Sequence, residues 1–256
     1  MMYKIFLRSL LNSFLFASVI LFAGCGGGCT TFSQSSDFPK NTIQSFAKIE
    51  KTLRIDLCEG ENCRIDAGTI TGSGVVVKIT PLGGYVLTAG HVCDTSSDII
   101  PQIELIRNID INIEILDIDY KRWHAEIVEV DKNIDTCILW VPDLDKPAVR
   151  ISFKDPTQGD KAYNVAAPAG IFYDGAVPLL EGYYMGERAW DGVAMYTVPA
   201  AGGSSGSPIF NSRGHLIGMI HSVNRYFPFV SISPTSEQLR RFIFSSIKRH
   251  KTNSCK

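Results

Sequence analysis

The chain carries almost no net charge. Its 25 Lys and Arg residues are balanced by 26 Asp and Glu residues, which leaves a formal charge of −1 at pH 7. Binding to nucleic acid depends largely on cationic contacts with phosphate, and no overall field is available here to attract a polyanion. The composition therefore excludes a nucleic-acid-binding protein that relies on overall charge, and we expect no nucleic acid among the partners.

Metal-ligand patterns are also lacking, because no histidine accompanies a cysteine pair at ligand spacing. Cys58 and Cys63 enclose a turn that contains Gly60, and the residues before them alternate between apolar and polar. Such a pair favours a β-hairpin closed by a disulfide in an oxidising compartment over a zinc site. We therefore expect a Cys58–Cys63 bridge, and we expect neither a metal nor a cofactor.

Long hydrophobic runs are absent except near the start, where residues 10–23 are mostly apolar and follow Lys4 and Arg8. The run is shorter than the about 20 residues that a transmembrane helix needs. A positive start, a short apolar middle and small residues at the end are typical of a secretory signal. The pattern predicts a signal peptide over residues 1–24.

A cysteine follows this run directly. Residues 21–25 (LFAGC) resemble a bacterial lipoprotein cleavage box, in which Cys25 becomes the lipidated N-terminus. An ordinary signal cut nearby and an uncleaved anchor are the alternatives. Residues 25–47 predict a flexible tether, so we expect an exported protein that is lipid-anchored to a bacterial membrane, periplasmic or secreted.

No amphipathic helix of useful length occurs between residues 48 and 233, where short apolar runs alternate with turn signals. These runs predict two comparable sets of strands, and repeated short strands favour an all-β barrel or sandwich. Apolar residues at helical spacing then predict a C-terminal helix at 235–250. We expect this helix to dock on the second set of strands with its basic residues on a solvated face.

A glycine- and serine-rich segment, residues 201–208 (AGGSSGSP), lies between two strand-like runs. Glycines let backbone N–H groups turn toward one point, and a serine at the tip would lie beside these donors. Such an arrangement is the geometry of a nucleophile with an oxyanion hole. A flexible linker is the alternative, but a linker is not bounded by two apolar strands and closed by Pro208.

A base and an orienting acid occur upstream of this segment. Residues 85–93 predict an apolar strand that ends at His91 in a turn, and residues 134–141 predict a strand that Asp135 introduces. The order His91, Asp135, Ser205 is one of the chain orders in which a hydrolytic triad occurs.

Four segments in this order resemble the trypsin-like (chymotrypsin-fold) serine proteases. Residues 72–92 resemble the GSG…GYVLTAxHV segment of that family, and residues 131–139 resemble its D…DxAxL segment. Residues 159–170 resemble its GDxVxxxGxPxG segment, and residues 203–208 resemble GxSGGP with Ser207 in place of the last glycine. Their joint occurrence is far more specific than any one of them. Within the family, the chain resembles the bacterial HtrA-like branch without a PDZ domain.

The resemblance implies an all-β fold of two packed six-stranded antiparallel β-barrels with a C-terminal helix. The expected peptidase domain covers residues 48–250, with the first barrel at about 48–149, the second at about 150–233 and the helix at about 235–250. His91 and Asp135 would come from the first barrel and Ser205 from the second, so the active site would lie in the cleft between them.

The resemblance also implies a serine endopeptidase that hydrolyses peptide bonds in a protein or peptide substrate. His91 would take the Ser205 hydroxyl proton, Asp135 would hold the imidazole, and the N–H groups of Gly203 and Ser205 would form the oxyanion hole. The alternative function is a catalytically silent trypsin-like fold that acts as a surface or periplasmic binding module. An esterase on the same chemistry is disfavoured by the resemblance.

The substrate pocket is expected to include Pro199 and Ala200 at its base, where no acidic residue occurs. A preference for Arg or Lys is therefore not expected, and small apolar side chains are the default. His221 in the pocket wall resembles the histidine of glutamate- and glutamine-preferring relatives. It falls one position late for that role, so strand alternation can instead turn it away from the pocket, towards Asp135.

Cys93 and Cys137 each follow a proposed triad residue by two positions. The resemblance makes their segments neighbours in the fold. A disulfide and a pair of buried thiols are both consistent with this placement, and the sequence leaves the two alternatives open.

Overall fold

Every strand in the part of the chain that the structure describes belongs to one of two antiparallel sheets. The computed structural model describes residues 38–59, 61–94 and 106–254, all within one compact unit, Ser36–Lys256. The predicted signal peptide, the predicted lipidation site at Cys25 and most of the predicted tether lie outside the described residues.

The first sheet places the end of one buried strand beside the start of another. Its strand order is β5-β4-β1-β2-β3-β7-β6, with the bounds β1 Phe46–Glu59, β2 Asn62–Thr80, β3 Gly83–Ala89, β4 Ile106–Asp117, β5 Arg122–His124, β6 Glu126–Asp131 and β7 Thr136–Pro142. Strands β3 and β7 pair along their whole length, so Ala89 lies opposite Thr136. The residues that follow β3 therefore lie next to those that precede β7.

The second sheet supplies the glycine- and serine-rich loop. Its strand order is β12-β11-β8-β9-β10-β14-β13, with the bounds β8 Lys161–Val165, β9 Leu179–Arg188, β10 Val193–Tyr196, β11 Pro208–Phe210, β12 Leu216–Met219, β13 Ser222–Val223 and β14 Ser231–Ser233. The loop joins β10 to β11. Because Tyr196 at the end of β10 and all three residues of β11 are buried, the two ends of the loop are held by the core of the sheet.

The predicted all-β architecture with a C-terminal helix is confirmed. Among the described residues each sheet has seven strands, where six were expected for each barrel. The difference arises because a short segment pairs at one edge of each sheet, β5 with β4 and β13 with β14.

The main hydrophobic core joins both sheets. Leu87 and Ile138 from the first sheet and Phe210 and Leu216 from the second are fully buried in one cluster. Strands β3 and β7 have near-continuous apolar sequences because almost all of their residues are buried, which is the pattern of a strand covered on both faces.

Two disulfides each close a loop in the described part of the chain. The Cys58–Cys63 bridge joins opposite residues near the tip of the β1–β2 hairpin, where the sequence predicted it. The Cys93–Cys137 bridge joins helix α1 (Gly90–Cys93) to strand β7, so the pairing that the sequence left open is a disulfide in the structure.

The C-terminal helix α2 (Ser236–Ser254) contacts both sheets. Thr235 and Gln238 form a capping box, in which the Gln238 N–H donates to Thr235 Oγ1 (3.2 Å) and the Thr235 N–H donates to Gln238 Oε1 (2.8 Å). The apolar face that the sequence predicted is buried through Leu239 and Phe242. No helix in the described ranges is long and apolar enough to cross a bilayer.

The basic face of α2 is largely exposed, as expected, but two of its residues form contacts with the rest of the fold: Arg249 stays exposed, whereas the side chain of Arg240 is only 14% exposed. The Arg240 guanidinium donates to Ser152 O (3.0 Å) and to Asp155 Oδ1 (2.9 Å). Arg249 donates to Glu129 of strand β6 (3.1 Å from Nε). Through Arg249 the helix is bonded to the first sheet, and through Arg240 it is bonded to the segment that precedes the second sheet.

The two disulfides should differ in their contribution to stability, because they close loops with sequence separations of 44 and 5 residues. Loop entropy gives about 4 kcal/mol for Cys93–Cys137 and about 2 kcal/mol for Cys58–Cys63. In urea denaturation, we expect the Cys93→Ser/Cys137→Ser variant to lose more free energy of unfolding than the Cys58→Ser/Cys63→Ser variant. An equal or larger loss in the hairpin variant would contradict this ranking.

Candidate active site

His91 follows the end of strand β3, an inner strand of the first sheet. The strand ends at Ala89 and helix α1 begins at Gly90, so His91 lies in a single helical turn. Its side chain is 48 % exposed. The Cys93–Cys137 disulfide holds the other end of this turn, and the imidazole is therefore presented to solvent from a fixed backbone.

Asp135 binds His91 twice. Asp135 Oδ1 accepts a hydrogen bond from the backbone N–H of His91 (2.7 Å), and Oδ2 accepts one from ring Nδ1 (2.8 Å). Gly90 permits this approach, since a Cβ there would lie 2.9 Å from Asp135 Oδ1. When Nδ1 of the neutral ring donates its proton to the carboxylate, Nε2 carries a lone pair and can accept a proton.

The environment of Asp135 keeps its carboxylate charged. Burial raises the pKa of this group, but the hydrogen bonds and the charge interaction with His91 outweigh burial, and the net direction is below the ordinary value. Asp135 is therefore ionised at neutral pH. An ionised carboxylate beside Nδ1 can stabilise the positive charge that a histidine acquires when it acts as a general base.

The loop between β10 and β11 is built on two left-handed glycines. Gly203 has a φ of 91° and Gly206 a φ of 87°, values that residues with a Cβ rarely adopt. The N–H of Ser204 donates to Ala201 O, and the N–H of Ser207 donates to Ser204 O, both at 2.9 Å. These turns give the segment a defined backbone, so it is not a flexible linker.

Ser73 of strand β2 ties this loop to the first sheet. Its N–H donates to Ser205 O (2.7 Å), and its Oγ donates to Gly203 O (2.8 Å) and accepts from the Ala167 N–H (3.0 Å). The sequence interpretation gave Ser73 no role of its own. In the sequence, Ser73 is marked only as a polar residue between two glycines at the start of an apolar run. In the fold, Ser73 is fully buried.

The same loop packs against the end of strand β3. A Cβ on Gly206 would lie 2.1 Å from Ser73 O and 2.2 Å from Thr88 Oγ1. The Gly206 N–H donates to Ile220 O (2.6 Å). Because Thr88 lies three residues before His91, these contacts fix the loop beside the segment that carries the histidine.

The three serine hydroxyls of the loop differ in burial. Ser204 and Ser207 are fully buried, whereas Ser205 is half-buried. Ser204 Oγ accepts a hydrogen bond from the Ala201 N–H (3.3 Å), and Ser207 Oγ accepts one from Asn164 Nδ2 (2.9 Å). Among these three, Ser205 has the hydroxyl that a substrate can reach.

Two backbone N–H groups at Ser205 and next to it lack a hydrogen-bond partner in the part of the chain that the structure describes. The N–H groups of Gly203 and Ser205 donate no hydrogen bond to any residue in the described ranges. Gly203 must lack a side chain, because a Cβ there would lie 2.5 Å from Ala167 O. Unpaired N–H groups next to an accessible hydroxyl are suited to bind an oxygen that gains negative charge.

The residues expected in the substrate pocket occupy two different places. Ala200 is buried before the loop, and its N–H donates to Pro228 O (3.0 Å); Pro199 beside it is half-buried. His221 follows strand β12, and its Nδ1 lies 3.7 Å from Asp135 Oδ2. The structure therefore brings His221 to the carboxylate, the orientation that strand alternation allowed.

The arrangement offers acid–base and nucleophilic chemistry from protein side chains. Among the residues that the structure describes, no group of three or more His, Cys, Asp or Glu side chains is placed to hold a metal ion. Two antiparallel sheets that bring a histidine–carboxylate pair and a glycine–serine loop to one seam define the class of trypsin-like serine proteases.

Comparison with known families agrees with this class. The family model described as the trypsin-like peptidase domain matches residues 72–219, more than half of the chain. The chain belongs to this family, and it is a serine peptidase whose substrate is a protein or peptide. No curated protein matches the chain.

Solved structures share the fold at low sequence identity. The active form of the Rv3671c protease from M. tuberculosis is 18% identical, with a TM-score of 0.55 over 78% of this chain and 79% of that chain. The serine endoprotease from Yersinia pestis is 15% identical, with a TM-score of 0.58 over 81% of this chain and 66% of that chain. These likenesses support the trypsin-like double-barrel fold.

Substitution of Gly206 by Ala should disrupt the loop. A left-handed backbone costs a residue with a Cβ about 1–2 kcal/mol, and this Cβ would also collide with Ser73 O. We expect Gly206→Ala to lower the free energy of unfolding by about 2 kcal/mol or more and to abolish peptidase activity. Urea denaturation and a peptide hydrolysis assay measure the two effects.

The matched control is Gly202→Ala in the same loop. Gly202 is exposed, and an added Cβ there would have no atom within 4 Å. This variant should stay close to the wild type in stability. Equal losses in the two variants would show that the left-handed conformation at Gly206 does not hold the loop.

Proposed function

We propose that this serine peptidase is an endopeptidase in which Ser205 is the nucleophile, His91 the general base and Asp135 the residue that orients the base. The observation that carries the proposal is the pair of hydrogen bonds from His91 to Asp135. The accessible hydroxyl of Ser205, on a loop tied to the first sheet through Ser73, supports the assignment of the nucleophile.

The reaction proceeds by acyl transfer. Nε2 of His91 removes the proton of the Ser205 hydroxyl as the oxygen attacks the carbonyl carbon of the substrate, and then gives the proton to the leaving amine. A water molecule repeats the sequence to hydrolyse the acyl-enzyme. Asp135 keeps the imidazole in the productive tautomer throughout and stabilises its charged form, which its own ionised state permits.

The oxyanion hole consists of the N–H groups of Gly203 and Ser205. Both lack a partner within the described residues, so neither has to break an internal bond when the carbonyl oxygen becomes negative. A preorganised donor of this kind contributes about 2.7–4 kcal/mol to transition-state stabilisation in enzymes where it has been removed.

The pocket favours small apolar side chains. Pro199 and Ala200 contribute no charge at its base, and His221 faces Asp135, which disfavours a role in binding an acidic side chain. Peptides that differ in the residue before the scissile bond should therefore be cleaved fastest when that residue is small and apolar. A clear preference for Glu or Gln would contradict this specificity.

The alternative of a catalytically silent binding module is not favoured. A silent fold has no need for a half-buried serine beside two N–H groups that lack a partner among the described residues, or for a histidine–carboxylate pair. The family membership and the arrangement of these groups both support an active peptidase.

Removal of the nucleophile gives the direct test. We expect Ser205→Ala to lower kcat for peptide hydrolysis by about 10⁴-fold or more, and His91→Ala to have a similar effect. Because the two residues act as one unit, the double variant should lose little more than either single variant. Ser212→Ala, in an exposed turn between β11 and β12, serves as the control and should retain activity. Activity that survives in Ser205→Ala would overturn the assignment.

We propose further that the protein is exported and anchored through a lipid on Cys25. The apolar run before Cys25 and the LFAGC segment support this localisation. The two disulfides give independent support, because such bridges persist in oxidising compartments outside the cytosol.

Expression of the full chain in a bacterial host tests the anchor. The wild type should incorporate a labelled fatty acid and sediment with membranes, whereas Cys25→Ser should do neither, since the acyl chains supply the membrane affinity. A wild-type protein that takes up no fatty acid would rule out the lipid anchor.

A further inference from the structure

A second histidine shares the carboxylate of Asp135. Oδ2 accepts the hydrogen bond from His91 Nδ1 at 2.8 Å, and the same oxygen lies 3.7 Å from His221 Nδ1. The backbone N–H of His221 donates to Ile232 O (3.1 Å), which fixes the start of the side chain. Two imidazoles from different sheets therefore converge on one oxygen atom.

The side chain of His221 is 18% exposed and lies among charged groups. Burial lowers its pKa most; Asp135 and Asp191 raise it, whereas His91 and Arg188 lower it further, and the net direction is below the ordinary value. The ring is therefore neutral at pH 7 and becomes charged under acid conditions.

We propose that His221 is a positioning residue for Asp135. While the His221 ring is neutral, it leaves the carboxylate to His91. Once the His221 ring is protonated, it competes with His91 for Oδ2. The inference rests on the proposed function, since it concerns the orientation of the proposed base. It assigns His221 to the catalytic seam and not to the wall of the substrate pocket.

The distances account for the two states. A separation of 3.7 Å is too long for a hydrogen bond, so the neutral ring does not oppose the 2.8 Å bond from His91 to Asp135. A proton on His221 places a positive charge beside the same carboxylate, and in a partly buried site this attraction is stronger than in water. Asp135 then holds and stabilises His91 less well.

The proposal implies that two protonation events, and not one, lower kcat/KM as the pH falls. Protonation of His91 alone removes the base, and kcat/KM then falls about tenfold per pH unit. When protonation of His221 also impairs the site, the fall in activity depends on two protons instead of one. The acid limb should therefore steepen towards a fall of about 100-fold per pH unit.

The first measurement is the pH profile of kcat/KM for the full chain and for His221→Gln. Glutamine keeps a polar group beside Asp135 but cannot take a positive charge. We expect the acid limb to approach a slope of two in the wild type and to keep a slope of one in the variant. Equal slopes in the two proteins would overturn the proposal.

His215→Gln is the matched control. His215 lies directly before strand β12 of the second sheet. Burial lowers its pKa, and the charges of Arg150 and Arg213 lower that pKa further. It has no contact with Asp135 among the described residues. The control should keep the steep acid limb of the wild type, and a shallow limb in His215→Gln would contradict the assignment to His221.

A second measurement does not require activity. The proton between His91 Nδ1 and Asp135 can be followed by NMR as the pH is lowered. We expect its chemical shift to change in two steps in the wild type and in one step in His221→Gln. A single step in the wild type would overturn the coupling even if the variant fails to fold. Two steps without hydrolysis would instead locate the failure in the proposed peptidase function.

Discussion

The pair of hydrogen bonds between Asp135 and His91 is the interaction on which the site depends. It requires strands β3 and β7 to pair with Ala89 opposite Thr136, because the two residues stand just beyond these positions. A slip of one residue would turn the side chains of β7 to the other face and separate the carboxylate from the imidazole. The Cys93–Cys137 disulfide spans the same two elements, so a covalent bond secures the register that the hydrogen bonds need.

The seam between the sheets adds a second constraint. Ser73 binds the backbone of the Ser205 loop from the first sheet, and Gly206 fits against Ser73 and Thr88 without room for a side chain. The loop that carries the proposed nucleophile is therefore positioned by the strands that carry the proposed base. A shared hydrophobic core continues across the same seam. Movement of the Ser205 loop relative to His91 would disturb this packing and is therefore costly.

Much of this arrangement could be predicted from the sequence, because strand patterns and family segments report local chemistry. The strands that lead to His91 and Asp135, and the Cys58–Cys63 hairpin bridge, followed from apolar runs and turn residues. Strand alternation allowed His221 to face Asp135 but did not decide between that orientation and the pocket wall. The role of Ser73 depends on contacts across the seam, which periodicity does not encode. The Cys93–Cys137 pairing likewise depends on which strands become neighbours, so the sequence alone left it open.

Mapping of the reactive residue tests the central claim most directly. The folded full chain would be treated with a fluorophosphonate, and the site of the adduct would be located by fragmentation mass spectrometry. We predict one adduct for each chain, on Ser205, because this serine is only half-buried and lies beside two N–H groups that have no partner among the described residues. An adduct on Ser204 or Ser207, or no adduct on a protein shown to be folded, would contradict the assembled site.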